Sequence, residues 1–358
     1  MESILILFDC IIIRRMDTFT LTSLIDDDHH EFNEYGVTVL ERLLKYESPK
    51  QLKDEEEQFI YSKIKRFIVS GTFQTLNIHF GTLEKVSIEL LTKCNLKCKH
   101  CYLGEERDAH TITNDTFQNI LEISKNKGAY RVALTGGEPF LDKNIFKKIK
   151  IARNLDFMVT LNTNGILLNE EKVVFLKKLK VAHITITLNG NKSQHETIYG
   201  LGTYDKTIET IALLKKHGIS TGLNCMVTKY NINYISKFKI QMQEEYGINI
   251  INLSQIYNEG SAKLYNDLSL DEAEIKRINI SKKCDQNYHH GLSCYAGLRS
   301  FFIHSNGDVT PCTELKFISG NLYIEPIDLI IERMKKKHQI SSSKKIIPIV
   351  SEVLQKPL

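Results

Sequence analysis

The sequence "KVSIELLTKCNLKCKHCYLG", residues 85–104, joins a run typical of a buried strand to a loop that contains three cysteines. Cys94, Cys98 and Cys101 fall within eight residues of one another. Before residue 85 the pattern is that of a small separate unit, and after it strands and helices alternate regularly. This strand and its loop therefore mark the start of the main domain.

The alternation after residue 85 repeats about six times. Strands are predicted at 85–91, 130–137, 157–165, 181–190, 220–228 and 248–256. Helices are predicted at 114–126, 142–154, 169–179, 204–217 and 231–245. Such repeats predict βα units with a parallel sheet and right-handed crossovers. The expected fold class is α/β, a partial (β/α)6 TIM-like barrel, whose functional residues follow the carboxyl ends of the strands.

Composition limits the class of protein. The chain has 358 residues and a formal net charge of +4, which does not favour nucleic acid as a partner. No window approaches the ~18 uninterrupted apolar residues of a membrane span. The start, "MESILILFDCIIIRR", lacks the features of a signal peptide, so we expect a cytoplasmic protein. Structural disulfides are rare there, and eight cysteines then indicate metal or redox chemistry.

Residues 1–80 are expected to form a small α+β, winged-helix-like domain. Residues 3–24 alternate as two or three short strands do. Helical spacing of apolar residues follows, and Gly71 is suited to end the last helix.

The three clustered thiolates allow two interpretations. They could bind three irons of a [4Fe–4S] cube and leave the fourth iron open. They could instead form a zinc site with a fourth ligand such as His100. "TGGEPF", residues 135–140, ends the second strand, and "LNTNG" and "TLNG" end the third and fourth. A zinc site needs no such motifs at neighbouring strand ends, so the pattern favours the cluster.

The cysteine spacing CxxxCxxC after the first strand, with GGEP after the second, resembles the radical S-adenosylmethionine (SAM) enzymes. The resemblance covers residues 85–260. It implies that Cys94, Cys98 and Cys101 hold a [4Fe–4S] cluster, reduced by a flavodoxin- or ferredoxin-type donor, whose open iron binds SAM. It also implies reductive cleavage of SAM to a 5′-deoxyadenosyl radical that abstracts hydrogen from substrate.

The resemblance assigns further cofactor-binding residues, each at a strand end or beside a cysteine. His100 matches the position of an aromatic residue beside the adenine, although it could also be an ordinary surface histidine. Two positions depart from the family pattern: Asn189 replaces an aspartate, and Tyr199 replaces an arginine that pairs with the SAM carboxylate. The assigned SAM-contacting residues are His100, Gly136, Gly137, Glu138, Asn162, Asn164 and Thr187.

The segment "CYAGLRSFFIHSNGDVTPC", residues 294–312, resembles the start of the SPASM/twitch extension of this family. The resemblance implies one auxiliary [4Fe–4S] cluster held by Cys284, Cys294 and Cys312. The later cysteines of the SPASM pattern are missing, so the extension is truncated, and a remnant without a cluster is the alternative. Cys225, within a predicted strand, is expected to be a buried apolar residue.

Residues 17–80 resemble, by pattern, the PqqD-like domains that bind leader peptides by β-augmentation. The predicted domains are therefore 1–80 for leader recognition, 81–280 for the radical SAM core and 281–358 for the auxiliary region. The predicted function is maturation of a ribosomally synthesised precursor peptide, by thioether or carbon–carbon crosslinking. Peptide epimerisation, a small-molecule reaction of cofactor biosynthesis and a non-catalytic metal-binding regulator are the alternatives.

Overall fold

The computed structural model describes the greater part of the main domain and parts of the regions on either side. For residues 3–7, 10–15, 18–23, 29–32, 74–76, 266 and 337–342 it describes the backbone alone. The described residues are 3–7, 10–15, 18–23, 29–32, 39, 54–55, 57–62, 74–76, 83–104, 110–256, 259–271, 273–274, 296–313 and 317–342.

The N-terminal region contains a five-stranded antiparallel sheet with the strand order β4-β3-β2-β1-β5. The strands expected within 3–24 are confirmed, whereas β4 and β5 were not predicted. Residues 57–62 are helical, and the predicted helix end at Gly71 lies outside the described residues. The strands are β1 (Ser3–Leu7), β2 (Cys10–Arg15), β3 (Thr18–Ser23), β4 (His29–Phe32) and β5 (Gln74–Leu76).

The main domain confirms the predicted α/β class. Six parallel strands lie in chain order across one sheet, as βα units require. The strands are β6 (Lys85–Glu89), β7 (Arg131–Thr135), β8 (Met158–Thr163), β9 (His183–Thr187), β10 (Thr221–Val227) and β11 (Ile251–Gln255).

The helices between these strands begin at identifiable caps. Thr113 accepts the backbone N–H of Thr116 at 3.1 Å, and Asn169 accepts that of Lys172 at 3.0 Å. The helix at Lys192–Tyr199 was not predicted. The helices are α1 (Asn114–Asn126), α2 (Ile145–Asn154), α3 (Glu170–Lys178), α4 (Lys192–Tyr199), α5 (Thr203–Lys216), α6 (Ile235–Tyr246) and α7 (Ile327–Ser342).

The two faces of the strands differ in polarity. In β6, Val86 and Ile88 are fully buried in the apolar core. Lys85 and Ser87 alternate with them and are partly exposed. Because side chains alternate across a strand, one face packs against the helices and the other is polar and partly accessible.

The C-terminal hairpin extends the same sheet. β12 (Ser300–Ile303) pairs in parallel with β6, and β13 (Asp308–Thr310) and β14 (Gly320–Asn321) follow in antiparallel order. The sequence pattern predicted a hairpin here but not its pairing with the first core strand. The hairpin is therefore joined to the strand that precedes the cysteine loop. None of the described helices is long and apolar enough to cross a bilayer.

Candidate active site

The three clustered cysteines lie in the loop that leaves the carboxyl end of β6. The loop is anchored where it starts, since the backbone N–H of Leu90 donates to the carbonyl of Thr135 at 2.9 Å. All three cysteine side chains are partly exposed. The backbone N–H of Leu96 donates to Sγ of Cys94 over 3.5 Å. Such bonds to sulfur also tune iron–sulfur clusters, so the loop fits that group.

His100 is engaged elsewhere than in a zinc site. Its Nε2 lies 2.6 Å from Oη of Tyr199. Within the described parts of the chain, no three Cys, His, Asp or Glu side chains converge on one point as ligands of a single ion do. In a cube each thiolate binds a separate iron, so the three sulfurs need not converge in that way.

Gly136 and Gly137 hold the second strand end against the cysteine loop. The backbone N–H of Gly137 donates to the carbonyl of Leu91 at 2.7 Å, and that of Glu138 to the carbonyl of Lys93 at 2.9 Å. A Cβ on Gly137 would lie 2.2 Å from the Lys93 oxygen, which real contacts do not allow. The glycine pair thus lets the end of the second strand approach the backbone of the cysteine loop just before Cys94.

Gly137→Ala should therefore displace the cysteine loop and reduce cluster binding. We expect the reconstituted variant to lose about four iron atoms per chain, one cube's content, as measured by iron analysis. Gly202→Ala is the matched control. Gly202 has positive φ, and no atom lies within 4 Å of an added Cβ. Its replacement by Ala therefore strains the backbone without a steric clash. Equal iron loss in both variants would contradict this role for Gly137.

Glu138 has an inward-facing carboxylate that is fully buried. Oε1 accepts from Oγ1 of Thr163 at 2.7 Å and from the N–H of Phe140 at 3.1 Å, and Oε2 accepts from the N–H of Asn164 at 3.0 Å. Burial raises the pKa of this carboxyl. The side chain therefore fastens the third strand end to the second.

Asn164 links the third strand end to the cysteine loop. Its Nδ2 donates to Oδ1 of Asn95 at 2.9 Å, and that oxygen lies 3.8 Å from Sγ of Cys94. Asn162 and Thr187 are partly exposed at the ends of their strands. The structure thus places these three predicted residues at the carboxyl ends of β8 and β9, on the same side of the sheet as the cysteines.

A polar cluster surrounds Tyr199, the last residue of α4, the helix that follows the fourth core strand. The ring of His195 stacks on Tyr199 at 4.4 Å, and the ring of His100 meets it edge-on at 5.1 Å. Burial lowers the pKa of each histidine to about 4, and it raises that of Tyr199 well above its usual value. All three side chains are therefore neutral at physiological pH. The cluster can donate and accept hydrogen bonds without carrying charge.

The two departures from the family pattern contact each other. Oδ1 of Asn189 accepts from Oη of Tyr199 at 3.4 Å and from the N–H of Met226 at 3.0 Å. Asn189 is fully buried, and its Nδ2 has no partner among the described residues. A neutral amide facing a neutral phenol here replaces a carboxylate and a guanidinium. The unpaired Nδ2 is a hydrogen-bond donor left over for a ligand.

A segment after β11 packs against Cys101, the last of the three clustered cysteines. The backbone N–H of Ser261 donates to the carbonyl of Cys101 at 2.9 Å. Gly260 has φ of +53°, and a Cβ there would lie 2.3 Å from the same carbonyl. This position accepts only glycine. The loop thereby fixes the cysteine segment from the far edge of the sheet.

The C-terminal cysteines are only partly described. Cys312 is partly exposed and follows β13, where Oγ1 of Thr310 donates to its carbonyl at 3.0 Å. Cys284 and Cys294 lie outside the described residues. Cys225 is fully buried in the core, and burial raises its pKa to about 12. The prediction that it is a buried apolar residue is confirmed.

Several residues of the site were not predicted. Asn95, His195 and Gly260 carry no motif that the sequence alone would single out. Glu89 could have been found, because it is the last residue of the strand that leads to the cysteines and its spacing from Ser87 places both on the polar face.

Two segments of the chain match models of known protein families. Residues 88–239 match the radical SAM superfamily. Residues 294–348 match the SPASM family, described as an iron-sulfur cluster-binding domain. The second match coincides with the segment that resembled SPASM.

Two relatives by sequence have names of small-molecule enzymes. A probable GTP 3′,8-cyclase of Saccharolobus islandicus is 31% identical over 216 residues, which are 56% of this chain and 67% of that protein. An AdoMet-dependent heme synthase of Methanosarcina barkeri is 24% identical over 285 residues, 69% of this chain and 81% of that protein.

Two similar solved structures are known with peptide or SAM bound. SuiB of Streptococcus suis, bound to its precursor peptide SuiA, has a TM-score of 0.61 and 17% identity, and the match covers 99% of this chain and 93% of that one. anSMEcpe with bound AdoMet has a TM-score of 0.58 and 22% identity, over 74% of this chain and 84% of that one. These likenesses show the fold.

The cysteine loop, the glycine pair packed against it and the parallel sheet indicate the same family as these matches. By its 31% identity to a relative of which it covers 67%, and by the match over residues 88–239, the chain belongs to the radical SAM superfamily, whose enzymes use a [4Fe–4S] cluster and SAM.

Proposed function

We propose that this enzyme is a maturase that modifies a ribosomally synthesised precursor peptide by forming a thioether or carbon–carbon crosslink. One observation carries the proposal. The likeness to SuiB, whose structure contains a precursor peptide, extends over 99% of this chain. It therefore includes the N-terminal sheet, which a small substrate does not need.

The N-terminal sheet supplies a site for the leader of the peptide. β4 and β5 are its outermost strands among the described residues. An outer strand has backbone N–H and C=O groups on one side that can pair with an added strand. We assign leader recognition, in the manner of PqqD-like domains, to residues 1–80, the radical chemistry to 81–280 and the auxiliary region to 281–358. The hairpin of the last region shares its sheet with the second.

In this proposal Cys94, Cys98 and Cys101 hold the SAM-binding cluster. When bound, the cluster supplies the electron that cleaves SAM into methionine and the radical that abstracts hydrogen from substrate. The backbone at Gly136 and Gly137 lies against the cysteine loop and is available to the methionyl amine of SAM. Asn162, Asn164 and Thr187 provide polar groups along the adjacent strand ends.

The adenine side of the SAM site is assigned to His100, held by Tyr199. Their 2.6 Å hydrogen bond fixes the orientation of the imidazole. Because Tyr199 stands where the family usually has arginine, no guanidinium at that position pairs with the SAM carboxylate. The unpaired Nδ2 of Asn189 offers a neutral donor in the same cluster.

The auxiliary region is assigned one cluster, with Cys312 and the two cysteines outside the described residues, Cys284 and Cys294, as ligands. Three cysteines leave one iron open. An open iron suits the thiolate of a substrate cysteine, which is why we favour the thioether. An electron donor of the flavodoxin or ferredoxin type and a cytoplasmic location complete the proposal.

The substrate class is tested by asking which compound stimulates SAM cleavage. The reduced, reconstituted enzyme is incubated with SAM and either the short peptide encoded beside its gene or GTP. We expect 5′-deoxyadenosine to form at least about tenfold faster with the peptide, because substrate binding completes the site. Stimulation by GTP and none by the peptide would overturn the proposal.

A small-molecule reaction of cofactor biosynthesis is the second candidate. The observation that favours it is the 31% identity to a probable GTP 3′,8-cyclase. That match leaves 44% of this chain unaligned, since it covers 56%. The same incubation with GTP distinguishes the two candidates.

A further inference from the structure

Glu89 connects the cysteine loop of the core to the C-terminal hairpin. It is the last residue of β6 and is 2% exposed. Oε1 accepts from the backbone N–H of Ser305 at 3.2 Å and from its Oγ at 2.9 Å. Oε2 accepts from Oη of Tyr102 at 3.3 Å and lies 3.8 Å from Nδ1 of His304. One buried carboxylate thus joins segments 216 residues apart in sequence.

On each side of Glu89, a partner leads to a cysteine. Tyr102 follows Cys101 in the chain. On the other side, Nε2 of His304 lies 3.2 Å from Oγ1 of Thr310, and that hydroxyl donates to the carbonyl of Cys312 at 3.0 Å. A continuous series of contacts therefore runs from the SAM-cluster loop to the proposed auxiliary-cluster segment.

The position of Glu89 in the sheet explains its reach. The parallel pairing of β6 with β12 ends at Ile88 opposite Ile303. Beyond that last backbone pair, the side chain of Glu89 continues the contact between β6 and the segment that follows β12. Burial alone would raise its pKa, but the interactions with His304 and Ser305 outweigh burial and the pKa is lowered. Bonds to an ionised acceptor are stronger than neutral ones, so the link is firm.

We propose that Glu89 is a positioning residue that fixes the separation of the SAM-binding cluster and the auxiliary cluster by holding Tyr102 on one side and Ser305 on the other. The proposal rests on the proposed function in one respect, the presence of the second cluster. A fixed separation matters because the radical formed on substrate at the first cluster must lose its electron near the second.

The test uses the full-length, reconstituted protein and two variants. Glu89→Gln keeps the shape of the side chain and removes its charge. Ser305→Ala keeps the charge and removes one hydrogen bond, and it serves if Glu89→Gln does not fold. The control is Ser124→Ala, because Ser124 is also buried and its hydroxyl donates within α1, to the carbonyl of Ile120.

The first readout is hydrogen exchange of the enzyme's own backbone amides at residues 300–313. This measurement needs neither cluster nor substrate. We expect Glu89→Gln to raise exchange there about tenfold, since a charge-assisted bond is lost. The second is the dipolar coupling between the two reduced clusters in frozen solution, measured by electron paramagnetic resonance. We expect the coupling to spread over a wider range in both test variants and to stay as in wild type in Ser124→Ala.

Unchanged exchange and unchanged coupling in both variants would overturn the proposal. Faster exchange with unchanged coupling would also overturn it, because Glu89 would then stabilise the hairpin without positioning a cluster. A wild-type protein with about four iron atoms per chain has no second cluster to position, and this too overturns it, while the radical SAM assignment stands. If the wild type shows both clusters but modifies no peptide, the proposed substrate fails and the role of Glu89 is still measured.

Discussion

Replacing Cys94, Cys98 and Cys101 together by Ala is expected to abolish the formation of 5′-deoxyadenosine from SAM. Without the three thiolates no open iron can be presented at the strand ends, and the electron needed to cleave SAM is not delivered. Iron content should fall by about four atoms per chain, one cube. Product analysis by chromatography after anaerobic reduction measures the loss.

The control for the triple variant is Cys225→Ala. Cys225 is also a cysteine of the main domain, but it is fully buried among apolar side chains, and burial raises its pKa to about 12. It is therefore a protonated thiol within the apolar core. This variant should keep its iron and its SAM cleavage. Cleavage retained by the triple variant would contradict the assignment of the cysteine loop.

Deleting residues 1–80 is expected to separate SAM cleavage from peptide modification. The cysteine loop and the strand ends that surround it lie after residue 83, so cleavage without peptide should stay within about twofold of the intact enzyme. Modification should fall about 100-fold, because leader docking raises the local concentration of the modified segment. Mass spectrometry of the precursor peptide measures the second effect.

A leaderless peptide is the control for this deletion. The intact and the shortened enzyme should modify it equally slowly, since neither can dock it. Equal modification of the full precursor by both enzymes would remove the case for a leader-binding domain. A shortened enzyme without bound iron would show instead that the core needs residues 1–80 to assemble.

The core fold was predictable because its pattern is local. Alternation of apolar strands and amphipathic helices gave the parallel sheet, and Thr113 marked the start of α1 correctly. The pairing of β12 with β6 was not predictable, because no local pattern encodes which distant strand lies beside Lys85. Strand β5 pairs with β1 across about 70 residues and was missed for the same reason.

The site was predictable as far as its residues form a contiguous motif. The cysteines and the GGEP turn could be found from spacing, but the use of Glu138 could not. The resemblance assigned Glu138 to SAM binding, and only the structure shows that its carboxylate also accepts hydrogen bonds from Thr163 and Asn164. The contact between Asn189 and Tyr199 likewise needed the fold, since the two departures seemed independent in sequence.

The most direct test of the central claim is the transfer of deuterium from peptide to 5′-deoxyadenosine. The reduced enzyme is incubated with SAM and the fully deuterated precursor peptide, and the nucleoside is analysed by mass spectrometry. If the enzyme abstracts hydrogen from the peptide, 5′-deoxyadenosine carries deuterium and the peptide loses two hydrogen isotopes for each crosslink. Unlabelled 5′-deoxyadenosine together with an unchanged peptide mass would contradict the claim.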